Sequence, residues 1–252
     1  MKRRETNDEH FLQTPVDDAF RHTDPWRVMR IQSEFVRGFD SLAKVPAAVT
    51  IFGSARTLPE DPLYKAAVET AKLLGDVGFA IITGGGPGIM CAANQGARQS
   101  GTQSIGLNIE LPFEQHVNPY CDSSVEFRYF FVRKTMLVKY SQAFVIFPGG
   151  YGTLDELMES LTLIQTGKIH NFPVVLYGTQ YWRGLLEWLA DTVLKHGNIS
   201  AQDLDLMHLT DSVEEVRDII VAAVHGQSDR PEREAASVQQ TARYYANRPT
   251  ES

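Results

Sequence analysis

Short apolar runs recur through the middle of this chain, and each is followed by small or turn-forming residues and then by a helical pattern. The runs show little polar alternation, which is typical of strands buried on both faces of a parallel sheet. Parallel strands need crossover connections, and the helical patterns supply them. The sequence therefore predicts an α/β fold, a Rossmann-like doubly wound parallel sheet with helices on both faces. The predicted strands cover residues 47–52, 79–83, 104–109, 125–131, 143–147, 173–176 and 206–209.

The predicted sheet belongs to one domain over residues 46–225, and the flanking segments differ from it in composition. Residues 1–45 are predicted to form a polar arm and then a helix that is capped by Asp24 and begins at Pro25. Residues 226–252 are rich in Gln, Ser, Arg and Glu, which predicts a flexible tail. The expected apolar face of the N-terminal helix comprises Trp26, Met29, Ile31, Phe35 and Phe39.

Composition excludes several classes of partner. The net charge of -7 over 252 residues is opposite to the basic excess of nucleic-acid-binding surfaces. No apolar run reaches the roughly 18 residues of a membrane span, and residues 1–7 are polar, so we expect a cytoplasmic protein with no membrane partner. Two cysteines and seven scattered histidines give no metal-ligand spacing, so no metal site is predicted. One disulfide stays open as an alternative, although reduced thiols are the simpler interpretation.

Three of the predicted strands end in small residues, at 53–54, 84–88 and 149–153. Glycine lets the backbone approach a ligand closely, and the helix that follows points free N–H groups at it. One such loop alone would indicate only a tight turn, whereas three at one sheet edge predict a phosphate site. The candidate binding residues are Ser54, Gly85, Gly86, Gly88, Gly149, Gly150, Gly152 and Thr153.

The class of nucleotide is less closely defined. A Walker loop is absent, because no Lys-Ser or Lys-Thr follows a suitable glycine pair. The dinucleotide fingerprint fits poorly, since Gly84 and Gly86 match but Ile89 stands at the third glycine position. Glu110 follows the next strand, where a ribose-binding acid would lie. An NAD-type site is therefore a weaker alternative, and we expect no cofactor.

Arg133 and Lys134 are predicted to lie at the start of a helix over residues 133–140, after an aromatic strand. Cations at a helix N-terminus oppose the helix dipole, so the placement is locally unfavourable. Either both side chains reach solvent or a carboxylate, or they face a bound anion that Arg133 can grip with two parallel hydrogen bonds. We favour the anion, because the neighbouring strand ends supply the pocket.

Glu156 has two competing interpretations. Thr153 and Glu156 have the spacing of a capping box, in which the glutamate has a purely structural role. Glu159 lies one turn further on the same helix face, where capping does not explain it. We therefore include Glu159 among the candidate substrate-binding residues, the alternative being a solvated helix surface.

Taken together, three motifs closely resemble the "lonely guy" (LOG) family: GGGPGIM at 84–90, FVRK at 131–134 and PGGYGTLDE at 148–156. The resemblance covers about residues 46–225. Members of this family are cytokinin riboside 5'-monophosphate phosphoribohydrolases, which older annotation often labels lysine decarboxylases. The resemblance implies a Rossmann-like fold, at least a homodimer, and hydrolysis of a nucleoside 5'-monophosphate to free base and ribose 5-phosphate.

The resemblance also implies roles for individual residues. By motif position Arg133 and Glu156 are the catalytic pair, and Lys134 lies beside a phosphate cradle formed by Gly149, Gly150, Gly152 and Thr153. The extra segments at both ends resemble those of larger bacterial members, in which assemblies above a dimer occur. Leu161, Leu163 and Ile164 could form a dimer face, with ordinary core packing as the default interpretation.

Two rival functions share these motifs. A decarboxylase would need a lysine Schiff base to pyridoxal phosphate, and nothing in the sequence around Lys134 indicates one. A non-catalytic nucleotide or molybdenum-cofactor carrier of the same fold would use the glycine cradle without hydrolysis. Retention of both Arg133 and Glu156 favours the enzyme.

Overall fold

The computed structural model describes residues 19–111 and 116–247, so nearly all of the predicted polar arm lies outside the described residues. A short 3-10 turn, Ala19–His22, precedes the first helix, and a π-helical segment, Leu189–Leu194, extends the sixth. The strands are β1 Ala48–Phe52, β2 Ala80–Thr83, β3 Ser104–Ile109, β4 Ser123–Phe127, β5 Ala143–Ile146, β6 Val174–Tyr177 and β7 Met207–Thr210. The helices are α1 Asp24–Leu42, α2 Pro62–Asp76, α3 Ile89–Ser100, α4 Phe130–Lys139, α5 Tyr151–Gln165, α6 Thr179–Trp188, α7 Ala201–Leu204, α8 Val213–Val224 and α9 Arg230–Ala246.

The strands of the described residues form one seven-stranded sheet in the order β4-β3-β2-β1-β5-β6-β7. Every neighbouring pair is parallel. The chain therefore builds one half of the sheet outward from β1 to β4 and then returns to begin the other half at β5. The predicted doubly wound fold is confirmed, and the strand order reverses between β1 and β5, where open α/β sheets bind their ligands.

Two apolar layers cover the sheet. Helices α1, α4, α5 and α6 contribute to one layer, which includes Met136 and Leu157. Helices α2, α3 and α8 contribute to the other, which includes Ala71 and Ile220. In the inner strands, as in β1, alternate residues enter opposite layers, so each position is buried on one side or the other. This is why the strands appear in the sequence as continuous apolar runs.

Helix α1 is anchored by different residues from those predicted. Its N-cap is Thr23, and Asp24 is the first helical residue and pairs with Arg27 rather than capping the helix. Trp26, Met29 and Phe39 are exposed, while Ile31 and Phe35 pack against the core. The contact with the sheet is partly polar: the buried Glu34 carboxylate accepts hydrogen bonds from the backbone N–H groups of Arg128 and Tyr129.

The C-terminal segment differs from the predicted flexible tail, because residues 230–246 form helix α9. The Arg230 and Glu234 side chains are only 1–2% exposed, and their Nε and Oε1 atoms lie 3.0 Å apart. Glu234 also accepts hydrogen bonds from the Asn171 and Phe172 amides, and Arg230 donates to the carbonyls of Phe172 and Leu206. The Arg230–Glu234 pair and its hydrogen bonds to backbone groups thus hold the strongly polar helix α9 on the domain. Residues 248–252 lie outside the described residues.

Several further expectations concern packing. Of the three residues considered for a dimer face, Ile164 is fully buried in the core and Leu161 packs against it, whereas Leu163 is half-buried, so the dimer face stays a prediction. Cys91 and Cys121 are free thiols. In the described part of the chain, no helix combines the length and the apolar character needed to cross a lipid bilayer.

Candidate active site

A cavity of about 1220 Å³ opens beyond the carboxyl ends of β1, β2 and β5, where the strand order reverses. The three glycine-containing loops meet there, because their strands are neighbours in the sheet. The Ser54 amide donates to the Pro148 carbonyl at 2.9 Å, and the Ile89 amide donates to the Ser54 carbonyl at 3.0 Å. Backbone hydrogen bonds thus fix the loops relative to one another around the cavity.

The turn that follows β5 is tightly packed on one side and open on the other. A Cβ atom on Gly149 would lie 2.1 Å from Thr153 Oγ1 and 3.0 Å from the Ser54 amide nitrogen, so only glycine fits there. Gly150 and Gly152 have open space where a Cβ would stand, and both line the cavity. Helix α5 begins at this turn with Gly150 as its N-cap, which directs the positive end of the helix dipole at the cavity.

We expect Gly149→Ala to lower the free energy of unfolding by about 1–3 kcal/mol, because the added methyl overlaps Thr153 and the loop must shift. Gly152→Ala is the matched control. It places the same methyl in open space on a helix and should be neutral or stabilising by up to about 1 kcal/mol. Urea denaturation of both variants measures the difference. Equal midpoints would show that the loop has room to adapt.

Arg133 from α4 and Glu156 from α5 lie next to each other in the wall of the cavity. Arg133 Nη2 lies 3.7 Å from Glu156 Oε1, and the two side chains are 15% and 3% exposed. Both line the cavity, and the Arg133 guanidinium lies over the Phe130 ring at 5.2 Å. Within the described residues, the buried Arg133 Nε and Glu156 Oε2 atoms have no hydrogen-bond partner. Buried polar atoms are normally paired, so two such atoms beside a cavity indicate a ligand-binding position.

Burial dominates the electrostatics of this pair. It raises the pKa of Glu156 from 4.5 to about 7, against the opposing charges of Arg133 and Lys134. Burial also lowers the pKa of the Arg133 guanidinium, although Glu156 and Asp155 counteract the shift. Near neutral pH, Glu156 therefore exists in both protonation states, as proton-transfer chemistry requires.

The capping-box interpretation of Glu156 is wrong. Helix α5 begins at Tyr151, so Thr153 is its third residue and Glu156 its sixth, and the N-cap Gly150 has no side chain to bond. The N-cap is Gly150, three residues before the predicted cap Thr153. The buried carboxylate of Glu156 consequently has no helix-capping partner.

Lys134 and Glu159 do not line the cavity. Lys134 Nζ instead lies 3.0 Å from both Asp155 Oδ1 and Glu159 Oε2 of α5. Helix α4 begins at Phe130, three residues before the predicted start, so Arg133 and Lys134 lie at the end of its first turn. Their side chains separate because successive helical residues point about 100° apart.

The loop after β2 contributes Gly84 and Pro87 to the cavity lining, whereas its Gly85 and Gly88 pack against neighbouring backbone. A Cβ on Gly88 would lie 2.3 Å from the Ser54 carbonyl oxygen, and one on Gly85 would lie 3.2 Å from Gly106 Cα. The Gly86 carbonyl accepts a hydrogen bond from Asn118. The predicted residues Gly85, Gly86 and Gly88 thus allow close backbone packing and are not among the lining residues, whereas Ser54, Gly150, Gly152 and Thr153 are.

Glu110 does not take the position that a dinucleotide site requires. Its carboxylate is exposed, lies 3.3 Å from Arg128 Nε and does not line the cavity. The weaker NAD-type alternative therefore lacks the acidic residue on which it depended.

The sequence did not identify several lining residues. Arg56 lies two residues after Ser54 in the loop that follows β1, so its position beside a predicted binding residue was a usable signal. His116 and Asn118 come from the long segment before β4. The apolar walls had no such signal, because their residues have the same character as core residues: Phe52, Met90, Ile109, Leu111, Phe130 and Leu137.

Fold and site together define a Rossmann-like α/β protein with a candidate active site at its switch point, built around an arginine–glutamate pair and a glycine-rich turn. The chain belongs to the LOG family, whose sequence profile, described as "Possible lysine decarboxylase", matches residues 90–220. It is 34% identical over 136 residues to a "Probable cytokinin riboside 5'-monophosphate phosphoribohydrolase" of Arabidopsis thaliana, covering 53% of this chain and 67% of that protein. A protein of the same description from Oryza sativa subsp. japonica is 30% identical over 172 residues, covering 67% and 74%.

A solved structure supports the fold. The molybdenum cofactor carrier protein of Chlamydomonas reinhardtii superposes with a TM-score of 0.51 at 21% identity, covering 71% of this chain and 98% of that one. At this low identity, the superposition shows a shared fold alone.

The site does not fit the pyridoxal phosphate that a lysine decarboxylase requires. No lysine is among the described residues that line the cavity. Burial alone would lower the pKa of Lys134, but bonds and charges from Asp155 and Glu159 outweigh it and raise the pKa. A Schiff-base lysine needs the opposite shift, because its amine must be neutral to attack. The described residues also contain no group of three His, Cys, Asp or Glu side chains placed to hold a metal ion.

Proposed function

We propose that this protein hydrolyses the N-glycosidic bond of a nucleoside 5'-monophosphate, either a cytokinin riboside 5'-monophosphate or AMP, to free base and ribose 5-phosphate. One observation carries the proposal: the buried Glu156 carboxyl has an unpaired oxygen and lies 3.7 Å from Arg133 in the wall of a large cavity. Membership of a family whose relatives are described as phosphoribohydrolases supports it.

Glu156 supplies the central chemistry. As the bond from C1' to the base nitrogen breaks, positive charge builds on the sugar, and a fixed carboxylate stabilises that charge. The same carboxylate accepts a proton from the attacking water, whose oxygen forms the new bond to C1'. The base leaves with the electron pair of the broken bond and then takes up a proton.

The remaining residues hold the substrate. The glycine-rich turn and the N-terminus of α5 bind the 5'-phosphate through backbone N–H groups and the helix dipole. Arg133 has a free Nε and stabilises negative charge, on the phosphate or on the departing base. The apolar walls around Phe52, Met90 and Leu137 exclude water from the base.

Incubation with AMP and with isopentenyl-AMP, followed by chromatography for free base and ribose 5-phosphate, tests this function. Release of both products in equal amounts is expected. Tight nucleotide binding without any base release would overturn the proposal and favour a carrier of the same fold.

The pH dependence follows from the raised pKa of Glu156. The active form is the carboxylate, so kcat/KM should rise with pH and reach half of its plateau near pH 7. The substrate phosphate also titrates, near pH 6, so AMP binding is measured over the same range to separate the two groups. A profile that is flat between pH 5 and 8 would show that Glu156 ionisation does not control the rate.

A further inference from the structure

Two neighbouring cations of α4 have different surroundings. Arg133 faces the cavity, whereas Lys134 is turned towards α5, with its side chain only 16% exposed. Its ammonium lies 3.0 Å from Asp155 Oδ1 and 3.0 Å from Glu159 Oε2, which are one helical turn apart on α5. Lys134 thus bridges two helices, and each of them carries one member of the candidate catalytic pair.

We propose that Lys134 is a positioning residue: its bridge to Asp155 and Glu159 holds α4 against α5 and thereby fixes Arg133 and Glu156 in the cavity. This inference rests on the proposed function.

The Arg133–Glu156 pair needs a further contact to fix the distance between its two side chains. Arg133 and Glu156 approach to only 3.7 Å and share no hydrogen bond, so the pair does not fix its own separation. Asp155 precedes Glu156 in the chain, and Lys134 follows Arg133. The Lys134 bridge therefore acts on residues that are direct neighbours of Arg133 and Glu156 in the chain. Loss of the bridge frees the Arg133 and Glu156 side chains to shift. Displacements of about 1 Å at reacting groups lower rates by roughly a hundredfold.

The bridge also adjusts the charge around Glu156. Burial, together with Glu159 and Asp155, raises the pKa of Glu156, while Arg133 and Lys134 lower it. Removal of the Lys134 charge leaves the two neighbouring carboxylates uncompensated. A larger fraction of Glu156 would then be protonated at pH 7.

Lys134→Met tests the proposal. We expect kcat to fall about 10- to 100-fold, AMP affinity by calorimetry to stay within about threefold, and the midpoint of the pH profile to rise by about 0.5–1 unit. Lys134→Arg should restore most of the rate. If Lys134 instead contacted the substrate phosphate, affinity would fall more than about tenfold with the midpoint unmoved, and that result would overturn the proposal.

Lys139→Met is the matched control, because Lys139 lies on the same helix, is exposed, and contacts the Phe39 and Tyr140 rings rather than α5. It should leave rate, affinity and midpoint unchanged. Should Lys134→Met fail to fold, Asp155→Asn weakens the bridge from the α5 side and should lower kcat without loss of AMP affinity. A loss of affinity without a change of rate would contradict the positioning role.

A readout that does not need turnover keeps this inference separate from the proposed function. The Glu156 carboxyl carbon can be followed by NMR in protein labelled with ¹³C-glutamate, assigned by its absence in Glu156→Gln. Its titration midpoint should rise by about 0.5–1 unit in Lys134→Met, whether or not the wild type releases base. If the Glu156 midpoint is the same in Lys134→Met as in the wild type, the role of Lys134 is refuted. If the midpoint rises in Lys134→Met but the wild type releases no base, only the hydrolase function is refuted.

Discussion

Glu156→Gln is expected to reduce base release by about 10³-fold or more and, at pH 8, to make the protein more heat-stable. Glutamine has nearly the same shape as glutamate but cannot accept the proton of the attacking water or carry the charge that opposes the sugar cation. The variant should still bind AMP, because the glycine-rich turn and Arg133 are unchanged.

The gain in stability follows from the sign of the pKa shift. The folded-state pKa of Glu156 is about 7 and its ordinary value is 4.5. Well below pH 4.5 the carboxyl is neutral in both the folded and the unfolded state. The stability that depends on burying the neutral carboxyl is lost as the pH rises from 4.5 to 7 and above. At pH 8 the wild type should thus carry a penalty of about 3 kcal/mol that glutamine avoids. For a chain of this size, that corresponds to roughly 5–10 °C in Tm.

Thermal melts at pH 4 and pH 8 separate this effect from a general change of stability. The difference between Glu156→Gln and wild type should nearly vanish at pH 4. The control Glu187→Gln alters an exposed carboxylate of α6 and should change neither Tm nor base release. If Glu156→Gln were fully active, the catalytic role of Glu156 would be wrong; if it were less stable than wild type at pH 8, the burial penalty would be wrong.

Arg230→Met is expected to lower the free energy of unfolding by about 3–5 kcal/mol, or roughly 10 °C in Tm. The substitution leaves the Glu234 carboxylate buried without its cation and removes donors to the Phe172 and Leu206 carbonyls. Both carbonyls lie just before strands β6 and β7, at the amino ends of the strands, whereas the cavity lies beyond the carboxyl ends. Base release measured well below the melting temperature should therefore be unchanged.

Arg233→Met is a closely matched control on the same helix. Arg233 pairs with Asp229 at the same four-residue spacing and at 2.8 Å, but both side chains are exposed. Exposed pairs contribute little, so the loss should stay below about 0.5 kcal/mol. Equal losses in the two variants would mean that burial does not set the strength of the Arg230–Glu234 contact.

The central fold was predictable because its strands are buried on both faces. Such strands leave an unbroken apolar run in the sequence, and residues 104–109 match β3 at both ends. Strand β4 lies at the sheet edge and ends at Phe127, and the predicted strand there was too long. Phe130 and Phe131 have strand-favouring side chains, but they begin α4 and are 51% exposed.

Helix α9 could not be predicted from an apolar pattern. Its buried residues include Arg230, Glu234 and Ser237, which are normally exposed residue types. They are buried here because backbone groups far away in the chain pair with them, and no local pattern reveals such partners.

The candidate site was predictable where a motif marks it and not elsewhere. The glycine-rich turn, Arg133 and Glu156 stand in short motifs, and the structure gathers them around one cavity. The placement of Lys134 and Glu159 away from the cavity depends on the start of α4 and on its packing against α5, which no motif encodes. Their roles, like those of the catalytic pair, stay predictions until the variants are assayed.

The reversal of strand order between β1 and β5 also determines when the binding site can exist. A chain synthesised only as far as β4 already carries the loops after β1 and β2, but it lacks α5 and the hydrogen bond from Ser54 to Pro148. Contacts between such distant segments form late, since closing a long loop costs entropy. A nucleotide that binds only the completed cavity would therefore stabilise finished molecules selectively and leave half-built chains exposed to proteolysis.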